Sequence, residues 1–487
     1  MPWGLQAVLK RTKDSGYPQD VSLLAVDIVY ISKETLRVKI YDAKEDRYEV
    51  PVLNIPKVKT APQVTDYEIQ IQNDPVSFKI VRNTTGTVLI DTSIGPLVFS
   101  NQYLQISTRL PSTLLYGLGE HRDHFLRRSD WKIYTLFNRG EPPKDDPTMN
   151  MYGSHPFYLL LENDGKSHGV FLLNSNAMDV AVQPAPALTY RVIGGIFDFF
   201  FFLGPTPDEV IQQYTNLIGR PFLPPYWALG FHLSRFGYMT SEKTRRVWNR
   251  TREAGIPYDA QWSDIDYMLD FKDFTYDKER YKGLPELVDD VHKAGMHYVL
   301  NFSPGLYVTN STGEYPAYDE ALGEDIFMRD INKKIILGKL WPNITAYLDF
   351  SNPKASEFWI NNMITFHREV PYDAAWIDMN EPYNFINGSW ESCPMGHPLE
   401  NPPYQPGNDS LMTHTLCLSS HQYLSSHYNL HNIYSVIEAK TTYRALEILG
   451  KRPFVLSRAS FPGLGRYSGH WSGDIYSRWD YLSSSVP

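Results

Sequence analysis

From about residue 224 onward, six short apolar stretches, each running into a loop or a helical segment, constrain this chain more than any other feature. They are WALGFHLS, YDAQWSDI, HYVLNFSP, AAWIDMNEP, PFVLSRASF and GHWSGD. Apolar strands alternating with helical segments build βα units around a parallel sheet covered on both faces. Read from its start, the order is that of a (β/α)8 TIM barrel, a fold that gathers its working residues at the C-terminal ends of its strands. The count stops at about six, with residues 475 to 487 beginning a helix before the last strands of such a barrel. Two stretches, about 305–345 and about 386–418, read as loop insertions. Upstream the rhythm is different. The runs VSLLAVDIVYI, TLRVKIYDA, SFKIVRN and TVLIDTS alternate with Gly, Pro and Asn breaks, the pattern of an antiparallel sandwich. The expected architecture is therefore multidomain β plus α/β, with a β-sandwich over residues 1–223 and an incomplete barrel over residues 224–487.

The fourth barrel strand carries the first candidate chemistry. In AAWIDMNEPYNF, residues 374–385, the apolar run Ala374 to Ile377 leads straight into Asp378, Asn380 and Glu381 and stops at Pro382. Such a strand delivers carboxylates to its C-terminal mouth, although acids at a strand end also serve simply to cap the next helix. The stretch GRYSGHWSGDIYSRW, residues 465–479, turns the balance toward catalysis. There Arg466, His470, Trp471 and Asp474 stand among Gly465, Gly469 and Gly473, on backbone free to turn tightly and approach a ligand. Hydrolysing a glycosidic bond with retention needs a carboxylate nucleophile and a second carboxylic acid roughly 5 Å away, with aromatic faces for the apolar sides of the sugar. Asp378 and Asp474 are the expected pair.

At these residues the chain resembles the retaining α-glucosidases of glycoside hydrolase family 31. The family's nucleophile motif WIDMNEP and its acid/base motif HW(T/S)GD occur in the expected order. The likeness continues through ENPPYQPG, SSHQYLSSHYNLHN, YGSHPFYLLLE and HGVFLLNSNAMDV, from about residue 20 onward. The resemblance implies that Asp378 is the nucleophile and Asp474 the acid/base, the latter's pKa raised by surroundings that Trp471 makes less polar. It also implies that Asp264, in WSDIDYM, hydrogen-bonds the outer hydroxyls of bound glucose and that Arg466 spans sugar and carboxylates. Phe236, Trp341, Trp376 and Trp471 are the implied aromatic walls, with Met379 just past the nucleophile and Asp266, Asn380 and Glu381 in supporting roles. The sandwich loop around Asn138 to Tyr152 is expected to reach over the site, and Cys393 is expected to pair with Cys417. Three features depart from the family pattern. Gly140 stands where an Asp following Asn-Arg touches the sugar, with Glu141 one place along. Asn301 and Ser303 replace a hydrophobe and an Asp before Pro304. The family's substrate-binding histidine belongs to a strand past residue 487.

Composition excludes other function classes. A formal net charge of −9 with pI near 5.9 shows no basic patch for nucleic acid. The longest aromatic run, Phe199 to Phe202, is far short of the roughly 18 apolar residues of a membrane helix. No metal or cofactor is assigned; the expected partner is a carbohydrate. The N-terminus MPWGLQAVLKRTKDSG lacks the apolar core of a signal peptide, which alone would suggest a cytosolic chain. Seven N-x-S/T sequons and the two cysteines oppose that, and the resemblance implies a lysosomal or secretory-pathway protein. Asn83, Asn249 and Asn387 are the glycosylation candidates, and Asn301, in a barrel strand, is expected to stay bare. Two functions compete: an exo-acting α-glucosidase on maltose, malto-oligosaccharides or glycogen, and a catalytically inactive, truncated relative that binds a carbohydrate or a partner.

Overall fold

The computed structural model describes residues 1–143 and 149–485, the side chain of Asn408 excepted. Residues 144–148 of the loop expected over the site lie outside the described residues. Two antiparallel sheets form the N-terminal half. In spatial order, one contains Gly4–Lys10, Leu23–Tyr30, Thr35–Asp42, Phe197–Phe202, Ser167–Leu172, Phe157–Leu161, Leu114–Gly117 and Leu126–Arg127. The other runs Lys132–Leu136, Met178–Gln183, Ala187–Val192, Leu104–Arg109, Val88–Asp91, Val76–Arg82 and Tyr67–Asn73, with Val98–Phe99 beside the Leu104–Arg109 strand.

The strand Phe197–Phe202 shows how this half meets the rest, because all of its residues are buried. Phe197, Phe199 and Phe201 enter the sandwich core, whereas Phe200 and Phe202 join Phe171, Val210 and Tyr214 in a cluster that continues into the barrel. The period of two along a strand separates the two sets, and a strand covered on both faces has no polar side to present. Its outer cover is α1 (Pro207–Ile218), which begins in a capping box between Thr206 and Glu209 with Pro207 in the first turn.

Six parallel strands follow as one curled sheet, in the order β1 (His232–Leu233), β2 (Ala260–Ser263), β3 (His297–Phe302), β4 (Ala374–Ile377), β5 (Val455–Ser457) and β6 (Gly469–His470). Helices α2 (Ser241–Glu253), α3 (Leu284–Lys293), α4 (Pro353–Glu369) and α5 (Tyr434–Ile448) alternate with them. Ala260, Trp262, Val299, Ala374 and Phe454 cluster on the inward face, while Tyr298, Leu300, Phe302, Ala375 and Ile377 pack outward into the larger core. On β4 this alternation turns Ala374 and Trp376 inward, and the next inward position is Asp378. The first strand is shorter than its sequence suggests. Within WALGFHLS only His232 and Leu233 pair, because Tyr226–Leu229 forms a 3-10 turn after Pro225. The insertion at 305–345 is ordered, with a helix at Pro316–Glu324 and a three-stranded antiparallel sheet of Gly305–Tyr307, Asn343–Tyr347 and Leu337–Leu340. The second insertion is loop closed by a Cys393–Cys417 disulfide.

Candidate active site

The C-terminal ends of β2, β4 and β5 and the turn beyond β6 converge on one mouth. The β4 ladder extends one step past the strand, the Asp378 N–H donating to the Phe302 carbonyl at 2.9 Å. Met379 then takes a left-handed conformation (φ 61), a strained setting for a side-chain-bearing residue that turns the chain sharply beneath the carboxylate. Asn380 holds this turn against the end of β5: its Nδ2 donates to Ser457 Oγ at 2.9 Å and its Oδ1 accepts from the Ala459 N–H at 3.0 Å. Glu381 forms a bidentate pair with Arg458, both bonds 2.8 Å. The remaining guanidinium nitrogen, Arg458 Nη1, lies 3.3 Å from Asp378 Oδ1 outside hydrogen-bond geometry. That buried oxygen has no hydrogen-bond partner among the described residues.

Burial pushes Asp378 up to about 6, with the Arg458 cation pulling against it and Glu381 and Asp474 adding to the rise. Burial likewise pushes Asp264 up to about 7, opposed by the Ile265 N–H and reinforced by Asp378, Asp266 and Asp474. Three carboxyls on three strand ends therefore lie in one another's field. Asp264 immediately follows β2 and caps a 3-10 turn, its Oδ1 accepting from the Ile265 N–H at 2.7 Å. Asp266 faces away into structure, accepting from the Met239 N–H and the Tyr281 hydroxyl, each at 2.7 Å. Asp474 departs from the expected low-polarity setting: it is exposed, on the turn after the edge strand β6.

Aromatic side chains pack around the end of β4. Trp376 packs edge-on to Trp471 at 5.3 Å and against Trp262 at 5.7 Å. Met379 is buried beneath, and Phe236, on the loop after β1, is half exposed. Trp341 is also partly exposed and meets Phe385 edge-on at 4.8 Å. From the sandwich, the Tyr152 ring lies so close to Gly473 that a Cβ there would sit 2.2 Å from it, at a backbone φ of 74 that glycine adopts freely. Tyr152 also lies under the Arg458 guanidinium, at 5.2 Å.

One expectation fails. Arg466 does not span the carboxylates: it precedes β6, at the opposite end of the strand from the mouth, and its side chain packs on Gly219 and near the Tyr467 ring. The arginine against Asp378 and Glu381 is Arg458, which sequence reading missed although it directly follows the apolar run PFVLS. Residues after a barrel strand reach the catalytic face, and residues before it do not. At the family departures, Ser303 donates its N–H to Asp273 at 2.8 Å, and Asn301 is fully buried with both amide atoms unpaired among the described residues. Glu141 Oε1 accepts from the Tyr383 hydroxyl at 3.3 Å and lies 3.5 Å from His414 Nε2. Cys393, Glu400 and Cys417 cluster as metal ligands would, but both sulfurs are committed to the disulfide and Glu400 accepts from the Leu418 and Ser419 N–H groups.

Residues 221–487 match the glycosyl hydrolases family 31 TIM-barrel domain, and residues 20–180 match the glycosyl hydrolase 31 N-terminal galactose mutarotase-like domain. The chain is 45% identical to lysosomal alpha-glucosidase of Bos taurus over 99% of its own length and 52% of that protein's. It is 41% identical to intestinal sucrase-isomaltase of Homo sapiens, over 99% of this chain and 27% of the relative. The chain thus spans about half or less of the length of the curated relatives it matches. Among solved structures, a glucosidase II alpha subunit in its DNJ-bound form superposes with a TM-score of 0.83 at 23% identity, over 99% of this chain and 59% of that one. A Flavobacterium johnsoniae GH31 dextranase gives 0.78 at 19% identity, covering 97% and 59%.

Proposed function

The chain belongs to glycoside hydrolase family 31, and from that premise we propose that it acts as a retaining exo-α-glucosidase, releasing terminal α-1,4-linked glucose from maltose, malto-oligosaccharides or glycogen. The observation that carries the reading is Asp378, at the end of β4, with one buried carboxylate oxygen unpaired and the Arg458 cation 3.3 Å away. An oxygen with no hydrogen bond to break is free to attack the anomeric carbon, while Arg458 favours the charged form that must do so. Glu381 fixes Arg458 by two bonds, so the cation keeps its place when the nucleophile becomes an ester. Asp474 would protonate the departing glycosidic oxygen and then take a proton from the water that releases the sugar. Asp264 would read hydroxyls of the glucose ring, and Trp376 and Trp471 would cover its apolar face. No cofactor enters this scheme.

A second reading, a carbohydrate-binding relative that turns nothing over, draws on one observation: Gly140 and Ser303 stand where the pattern of the resembled family carries carboxylates. Assay of the protein on maltose at acidic pH separates the two. The glucosidase reading predicts glucose release that Asp378→Asn lowers by at least a thousandfold; maltose binding without release, in protein shown to be folded, supports the second.

A further inference from the structure

The loop position Gly140 and the aromatic ring of Tyr383, which follows the nucleophile strand, occupy one another's space. A Cβ on Gly140 would sit 2.0 Å from Tyr383 Cδ2 and under 3 Å from two more ring atoms, so any side chain at 140 and this placement of the ring exclude each other. Tyr383 is held from several sides. Its hydroxyl donates to Glu141 Oε1 at 3.3 Å, its ring stacks on His414 at 5.4 Å, and its carbonyl accepts from the Tyr347 hydroxyl at 2.8 Å. The Arg458 guanidinium stands 5.6 Å over the same ring, and Arg458 in turn faces Asp378. Tyr383 is only partly buried, and one side chain, Arg458, meets both its ring and Asp378. A phenol whose proton is given to Glu141 keeps its oxygen lone pairs for a donor from outside, and a sugar hydroxyl is such a donor.

We propose that Tyr383 is a substrate-contacting, specificity-determining residue of this chain. Gly140 exists to admit the ring, and the tyrosine hydroxyl, oriented by Glu141, accepts a hydrogen bond from the bound sugar in place of the loop carboxylate of the family pattern. The inference rests on the glucosidase reading and adds the residue that makes this contact. A neutral acceptor on a rigid ring replaces a charged, flexible one, so sugar recognition on this side of the site depends on one hydroxyl rather than on charge.

The test compares wild type with Tyr383→Phe, Tyr383→Ser, Gly140→Asp and the Gly140→Asp/Tyr383→Ser double variant. Readouts are the melting temperature, kcat/KM on maltose, and inhibition by glucose and its monodeoxy analogues. We expect Tyr383→Phe, which keeps the ring, to retain wild-type stability and to lose about tenfold in kcat/KM. Removing one particular sugar hydroxyl should weaken inhibition of the wild type about tenfold and of Tyr383→Phe by less than threefold. Gly140→Asp should lower the melting temperature and activity, and the double variant should recover both. If Tyr383→Phe keeps wild-type kcat/KM and wild-type discrimination among the deoxy sugars, the contact is refuted and the glucosidase reading stands. If wild type neither hydrolyses nor binds these sugars, that reading falls and takes the proposal with it.

Discussion

At the scale of single residues, Asp378 sits between two opposing influences, with burial favouring its neutral form and Arg458 its charged form. Removing the cation leaves burial unopposed. Arg458→Gln is therefore expected to raise the Asp378 pKa, move the acid limb of the kcat/KM profile to higher pH and lower kcat/KM by about a hundredfold, the range expected when buried carboxylates lose the cation beside them. Arg466→Gln, packed on Gly219 away from the mouth, should change kcat/KM by less than threefold. Equal losses from the two substitutions would refute this assignment. Asp264 supports a second prediction. Its carboxyl rises from 3.8 to about 7 on folding, so the folded state holds a proton that the unfolded state releases above pH 4. The stability this group contributes is complete below about pH 4 and is lost as pH rises through 7. Melting temperatures measured from pH 4.5 to pH 7.5 should decline more for wild type than for Asp264→Asn. Parallel curves would show that Asp264 does not titrate in that window.

At the scale of elements, much of the architecture is legible in the sequence because each barrel strand is an apolar run ending in a loop, and AAWI followed by Asp378 fixes which side chains point inward. Where that reading slips, the cause is local. WALGFHLS is apolar enough for a strand, yet the turn after Pro225 takes up Tyr226–Leu229 and leaves a two-residue strand. Arg466 and Arg458 both lie near motif residues, and only their order relative to β5 and β6 tells them apart. The contact between Gly140 and Tyr383 joins segments far apart in the chain, so no local pattern announces it. The Cys393–Cys417 pairing was legible only through family resemblance. Its loop spans a sequence separation of 24, for which the chain-entropy model gives about 3 kcal/mol of stabilisation. Cys393→Ser/Cys417→Ser should lose about that much in denaturant unfolding, and an unchanged midpoint would show that the loop contributes nothing to global stability.

At the scale of the whole molecule, the sandwich takes part in the candidate site as well as supporting the barrel. Phe200 and Phe202 continue its core into the barrel, Tyr152 packs on Gly473 and Arg458, and Glu120 Oε1 lies 3.1 Å from His470 Nε2 on β6. The turn carrying Asp474 thus depends on sandwich residues for its position. A secretory-pathway or lysosomal location is proposed on the strength of the relatives alone. Asn83, Asn249 and Asn387 are exposed, whereas Asn301 is fully buried within β3. Glycopeptide mapping of protein secreted from animal cells should find glycans on exposed sequons and none on Asn301; a glycan on Asn301 would mean that β3 is not buried in the folded protein. The central claim, that Asp378 forms a covalent bond with glucose while Asp474 manages the proton, is tested most directly by trapping. The protein is incubated with 5-fluoro-α-D-glucosyl fluoride, whose ring fluorine slows release of the sugar, then digested and sequenced by mass spectrometry. The expected result is one fluoroglucosyl adduct on Asp378, absent from Asp378→Asn and longer-lived in Asp474→Asn, because fluoride leaves without a proton donor while the water that releases the sugar has lost its base. Turnover of maltose with the adduct on another carboxylate, or with inversion and no adduct at all, would contradict the account.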